Sequence, residues 1–292
     1  MAYSVYALSM PLPSLCGALI LPTHLRLHPR MRVPARTQLQ SKLVRGAGAA
    51  RAGGRRRTHA TIAEAVAEAE EGERIVIAGG DYPEALVFAK SVTLLAAPGA
   101  RVTVSGLPGR EATVCVKHGS VLLCDLELTC SAGEKPADED PPAAAEQGGG
   151  GRAGRQAGGE QAGGGGSCCV LVLELGLVLL ERCQVRQPDA DYGIFLHQGG
   201  RANLKHTLIS GCRGNGMGCA GGSVTMEQCT VEKSGSVGVL LTMDGVATVR
   251  RCTVAGNGDC GVVIQDVARG TWTGNEIHSN ALAGVAVSAP VV

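Results

Sequence analysis

The sequence predicts an all-β chain wound as a single-stranded right-handed parallel β-helix of about eight coils, with an N-terminal capping helix. Three observations predict it. Frames opening at Leu177, Arg201, Ser223, Val246 and Arg269 each hold one glycine in the same place. These glycines, Gly193, Gly216, Gly238, Gly261 and Gly284, are separated by 23, 22, 23 and 23 residues. Each frame also carries three short apolar runs with the alternation of strands. Finally, one Trp, two Phe and four Tyr stand against 43 glycines, so burial falls to Val, Leu, Ile, Ala and Cys in small layers. The leucine-rich repeat has a similar period, but its Leu-x-x-Leu-x-Leu-x-x-Asn signature is absent.

Aligned frames give columns. Leu180, Leu204, Met226, Val249 and Trp272 share one, and Val185, Ile209, Val231, Val254 and Ile277 another. After each glycine come Ile194/Leu196, Met217/Cys219, Val239/Leu241, Val262/Ile264 and Val285/Val287. In a parallel stack these columns become ladders at about 4.8 Å per step, and three runs per coil predict three sheets. A further column holds Cys183, Thr207, Cys229, Cys252 and Asn275, at the bend between the first two strands. Two readings are open. Either these groups bond turn backbone and one another, or an inward bend admits only small side chains.

Residues 61–71 (TIAEAVAEAEE) place Ile62, Ala65, Val66 and Ala69 at helical spacing. Thr58 or His59 is expected to precede the helix as its start signal, and Gly72 to end it. Such a helix would plug the first coil, whose interior and backbone would otherwise be open. Short β-rich runs follow, and 91–104, 112–128 and 170–173 supply coils before the regular frames. Residues 131–167 hold no aliphatic side chain larger than alanine, so they read as a disordered Gly/Ala-rich insertion at a coil's turn. The domain is therefore 58–292. The last coil has no plugging helix after Val287, although Pro290 would blunt its edge. This end is expected to dock onto another molecule or to continue a longer stack.

Ten Arg/Lys precede the first acid, Glu64. Residues 1–57 thus read as a basic leader without packed structure, either an organellar transit peptide or a disordered tail. A net charge of +1 over the whole chain leaves no electrostatic footprint for nucleic acid or an anionic membrane. The longest apolar run, near Leu15 to Leu21, is far short of a membrane span. Twelve cysteines without a Cys-x-x-Cys pair read as reduced, buried thiols rather than a zinc site or a disulfide framework. The expected location is intracellular, in cytoplasm or nucleus, or in an organelle if the leader is a transit peptide.

The opening TIAEAVAEAEEGERIVIAGGDYPEALVFAKSVTLL and coils such as GNEIHSNALAGVAV carry a family likeness. The first offers a capping helix, a Gly79-to-Tyr82 turn, Glu84 and the run Lys90 to Leu94. The second shows Asn-x-Ile-x-x-Asn-x-x-x-Gly-Val. Residues 61–287 resemble the pectin-lyase-like right-handed parallel β-helix superfamily. Within it the short Cys-containing coils are most similar to the non-enzymatic β-helix domains of F-box adaptors and Shc-binding spindle proteins. The resemblance implies the fold. The superfamily also contains carbohydrate lyases, esterases and hydrolases.

No catalytic, cofactor or metal residue is assigned. The Asn-Thr-Asp, Asp-Asp and Gly-His-Gly motifs of polygalacturonases are missing, as is the Arg-x-Pro-x-x-Arg run of pectate lyases. Asp189, Asp191 and Asp259 read as solvated turn residues. A weaker candidate site is His197 with Asp244 and Asp266, the two aspartates at one turn of successive coils, where they could hold a cation or sugar hydroxyls. The Gly-rich stretch Gly211 to Gly222 lacks a following helix for a phosphate cradle and reads as tight turns needing positive φ. The functional expectation is a non-enzymatic module for protein–protein interaction or scaffolding. The alternative is a polysaccharide-binding or carbohydrate-active protein.

Overall fold

A computed structural model describes residues 41–44, 58–130, 167–186 and 189–288, all within one compact unit, Gln40–Val292. The rest of the basic leader, nearly all of the 131–167 insertion and Pro290 lie outside the described residues.

Among the described residues the chain is all-β with one short helix, and the strands stack in parallel as eight coils. The first ladder takes Glu73–Ile77, Val92–Ala96, the carboxyl halves of Ala112–Cys124 and Cys168–Glu181, then Arg201–Lys205, Ser223–Glu227, Val246–Arg250 and Arg269–Thr273. The second takes Gly80–Pro83, Val102–Ser105, Glu127–Thr129, Gln184–Arg186, Leu208–Ser210, Thr230–Glu232, Thr253–Ala255 and Glu276–His278. The third takes Leu86–Phe88, the amino halves of the two long strands, Tyr192–Leu196, Asn215–Ala220, Val239–Thr242, Val262–Ile264 and Val285–Val287.

Three ladders make two hydrogen-bonded sheets rather than three. Ala112–Cys124 and Cys168–Glu181 run unbroken around the bend from third to first ladder and fuse those two. Glycine permits this bend. Gly119 has φ +81°, and a Cβ there would lie 2.6 Å from the Lys90 carbonyl carbon.

Side chains alternate across each strand, so one column per ladder points inward. In the first ladder Ile75, Leu94, Leu123, Leu180, Leu204, Met226, Val249 and Trp272 lie in register, rung on rung. In the second, Tyr82 is followed by Val104, Leu128, Val185, Ile209, Val231, Val254 and Ile277. These residues are buried until the last coil, where Trp272 and Ile277 are half-buried. Each fully buried aliphatic side chain contributes about 1.5–3 kcal/mol.

Helix α1 (Ile62–Glu68) buries Ile62, Ala65 and Val66 against this core. It is shorter than the 61–71 pattern, and its boundaries differ from the expected ones. The N-cap is Thr61, whose Oγ1 accepts from Glu64 N at 3.1 Å. Glu84, from the first coil, accepts from Ile62 N at 3.0 Å and Ala63 N at 2.8 Å. At the other end Lys90 Nζ donates to the carbonyls of Ala67 and Ala69 at 3.0 and 2.5 Å. The helix lacks a basic residue in its own last turn, and the stack supplies one. His59 is in a strand instead of starting the helix, and Gly72 sits in the turn beyond it with φ +76°.

One strand comes from within the segment assigned to the leader. Ser41–Val44 pairs in parallel with Glu73–Ile77 on one side and with Thr58–His59 on the other.

Candidate functional site

The bends follow one rule. At the first bend a residue in the left-handed region precedes an inward side chain: Arg182 before Cys183, His206 before Thr207, Gln228 before Cys229, Arg251 before Cys252, Gly274 before Asn275. The inward column bonds backbone. Cys183 Sγ donates to Leu123 O at 3.3 Å, and Thr207 Oγ1 to Lys205 O at 3.0 Å. Cys229 N donates to Cys252 Sγ at 3.3 Å, and Cys252 N to Asn275 Oδ1 at 2.8 Å. Asn275 Nδ2 donates to Val249 O at 2.9 Å. These side chains thus bond the backbone of the turn and of the neighbouring coil.

A second inward column escaped the sequence reading. Cys212, Ser234, Asn257 and Asn280 recur at 22, 23 and 23 residues. Asn257 Oδ1 accepts from Ser234 N at 3.0 Å, and Asn280 Oδ1 accepts from Asn257 N at 3.1 Å. The available signal was Asn280, the second asparagine of the Asn-x-Ile-x-x-Asn coil.

The five repeat glycines stand beside this column and form a line. A Cβ on Gly193, Gly216, Gly238 or Gly261 would come 2.6–2.7 Å from the carbonyl oxygen of the next coil's glycine. It would also meet Cys212, Ser234, Asn257 or Asn280, respectively, at 2.6–2.8 Å. None of the five has positive φ; space alone requires glycine at the first four, while a Cβ on Gly284, in the last coil, would meet nothing nearer than 3.5 Å. The same correction applies within Gly211 to Gly222. Only Gly211 and Gly221 have positive φ, while Gly214, Gly216, Gly218 and Gly222 are close-approach positions.

His197, Asp244 and Asp266 are all exposed on the turns after the third ladder, in the fourth, sixth and seventh coils. Two coils separate His197 from Asp244, about 10 Å by rung spacing. Asp266 accepts from Thr242 Oγ1 at 2.5 Å and Met243 N at 3.0 Å, which hold its carboxyl below the usual carboxylate range. Asp191 pairs with Arg213, and Asp259 accepts from Cys260 N at 2.6 Å. Among the described residues no group of three or more His, Cys, Asp or Glu is placed to hold a metal. No described helix is long and apolar enough to cross a membrane.

Of the eleven free cysteines described, all but Cys115 are buried. Burial pushes the Cys183 and Cys212 thiols up to about 12, the reverse of what a nucleophile needs.

The exterior differs from ladder to ladder. On the first, Glu181, Lys205, Glu227 and Arg250 alternate in sign along one column, and Asn203, Thr225, Thr248 and Thr271 fill another. The second presents Glu127, Gln184, Leu208, Thr230, Thr253 and Glu276. The third has an outer column without a charge or hydrogen-bonding oxygen in any side chain: Val87, Cys115, Leu171, Phe195, Gly218, Leu240, Val263 and Ala286.

This stripe has its own packing. Ala112, Cys168 and Leu171 form a second apolar cluster, outside the core, with Cys115, Leu173, Tyr192 and Phe195 against it. The Tyr192 and Phe195 rings lie 4.8 Å apart at 49°, and both lean over Gly218, where a Cβ would be 2.7 and 2.9 Å from them. At the first coil, Val87 is 53% exposed. There the stripe runs into an apolar groove of about 490 Å³ between Ala63, Val66 and Ala67 of α1 and Val87 and Ala89. A face this dry offers apolar contact and no proton transfer.

The family model of the right-handed β-helix region matches residues 163–289. No curated protein matches the sequence. Among solved structures, the pectin methylesterase of Aspergillus niger is similar at 11% identity, with 87% of this chain and 90% of that one covered and a TM-score of 0.43. A pectin methylesterase from Erwinia chrysanthemi is similar at 14% identity, with 80% and 81% covered and a TM-score of 0.44. A pectate lyase gives 11% identity, 79% and 73% coverage and a TM-score of 0.42. The matched family model agrees with the right-handed β-helix that the strand ladders trace.

Proposed function

We propose that this pectin-lyase-like β-helix is a non-enzymatic interaction module, which holds a protein partner against the outer face of its third ladder. The single observation that carries the reading is the uncharged column from Val87 to Ala286. Val87 is exposed, Cys115, Phe195, Leu240, Val263 and Ala286 are half-exposed, and Leu171 and Gly218 are buried; a run of outward apolar side chains beside polar faces suits cover by a partner. This is the role for which the likeness to the β-helices of F-box adaptors and Shc-binding proteins was noted. The buried thiols favour a reducing compartment.

The second reading, polysaccharide binding, rests on the half-exposed Tyr192–Phe195 ring pair, because sugars stack on rings. The test is a double variant, Phe195→Glu with Leu240→Glu, whose side chains point away from the core. The expected result is loss of a partner that co-purifies with the full wild-type chain, at a melting temperature no lower than that of a Phe195→Ala control, which also loses the contacts to Tyr192 and Leu171. Calorimetric titration of the wild type with oligogalacturonate and other glycans runs beside it. Saturable heat that Tyr192→Ala abolishes, with no partner lost from the double variant, would replace the first reading by the second.

A further inference from the structure

We infer that the partner held on the third-ladder stripe is an amphipathic α-helix lying along the axis of the stack, its carboxyl end toward Lys117. The inference rests on the protein-binding reading above and says what kind of segment that partner presents.

The argument begins with backbone hydrogen bonds. The stripe crosses its strands at right angles, and those strands already pair with a neighbour on each side from the second coil to the seventh. An extended segment laid along the stripe would find no backbone partner there. Its own N–H and C=O groups would be pressed against Leu171, Phe195 and Leu240 and lose their water, a cost of about 1–3 kcal/mol for each unpaired group. A helix closes its backbone bonds internally and can be dried without that penalty.

Spacing agrees. Successive rungs rise about 4.8 Å, against about 5.4 Å for each helical turn and about 6.7 Å between same-face residues of an extended strand. A ridge of i, i+3 and i+4 residues therefore follows the rungs more closely than a strand can. One residue column is also the width of such a ridge.

Charge sets the direction. Along the turns after the third ladder, Lys90 and Lys117 belong to the first two coils, Glu174 to the third, and Asp244 and Asp266 to the sixth and seventh. This rim is cationic at one end of the stripe and anionic at the other, whereas the turns before the third ladder, with Arg110, Glu111, Asp191, Arg213, Lys233 and Asp259, are mixed and set no direction. A helix dipole carries partial negative charge at its carboxyl end and positive at its amino end. It is complementary when its carboxyl end meets the lysines and its amino end the aspartates.

Site-specific cross-linking tests this with the full chain. Phe195 and Val263, three rungs apart on the stripe, are replaced one at a time by p-benzoylphenylalanine. Each protein is irradiated in native extract, and the cross-linked residue in the captured protein is mapped by mass spectrometry. Three rungs span about 14 Å, which is about ten residues of helix or about four of extended chain. The expected result is one protein captured at both positions. The Val263 site should attach about ten residues before the Phe195 site in that protein's sequence. A separation of about four residues would overturn the helix and leave the protein-binding reading standing. A separation of about ten in the opposite order would overturn the orientation. If neither position cross-links a protein, while both variants melt like the wild type, the protein-binding reading falls and takes this inference with it.

Discussion

Asn257 shows what one inward side chain does at a bend. It is buried, accepts from Ser234 N through Oδ1, and donates through Nδ2 to Asn280 Oδ1 at 2.9 Å. Asn257→Ala would leave the Ser234 amide without a partner in a dry place. The expected loss is about 1–3 kcal/mol in denaturant unfolding. A loss no larger than that of an exposed Thr225→Ala control would show that water replaces the bond. Asp266 acts at the surface and depends on pH. Its carboxyl is held below the usual range by Thr242 and Met243, so its contribution is present above the unfolded value of about 3.9. That contribution is lost as pH falls through the lower folded value. Asp266→Asn should therefore flatten the fall in melting temperature below about pH 4, relative to the wild type. An unaltered acid limb would contradict this. Neither role was legible from one coil. The turn aspartates were readable as polar turn residues, but the rung above that Asp266 grips lies 23 residues away.

Register between coils is set by columns rather than by single strands. On the first ladder the outer column Glu181, Lys205, Glu227, Arg250 alternates in charge, so each rung opposes an unlike neighbour. Glu227→Lys would stack three cations there. Thermal unfolding should show a loss of about 0.5–1 kcal/mol at low salt, shrinking as salt screens the repulsion. An equal loss at 1 M salt would assign the effect to packing. The same lattice explains α1. Seven residues are too few for a stable isolated helix, and the Glu84 carboxylate and Lys90 ammonium of the first coil cap its two ends. The sequence placed the helix and its apolar side through Ile62, Ala65 and Val66. It did not place the boundaries, because those depend on side chains about 20 residues downstream.

In the molecule as a whole, each coil touches mainly its two neighbours, so damage should stay local. Glu84→Ala removes the acceptor for Ile62 N and Ala63 N, and the expected cost is about 1–2 kcal/mol. Hydrogen exchange should quicken in α1 and the first two coils and stay unchanged around Val231 and Val254. Uniform quickening would mean that the stack unfolds as one unit.

The sequence by itself determined the period, the aliphatic inward columns and the glycine line, because a parallel stack repeats one local environment and the repeat is written in the chain; the Ser234–Asn257–Asn280 column it did not. Only the tertiary structure decided which outer face is dry. Leu171 and Phe195 belong to different coils, and each alone reads as a single outward apolar residue in a strand. Their juxtaposition, the fusion of two ladders through Ala112–Cys124 and Cys168–Glu181, and the strand at Ser41–Val44 all arise from contacts between coils. The physical reason is that a strand's alternation specifies which side chains point out. What those side chains meet is fixed by the rungs above and below.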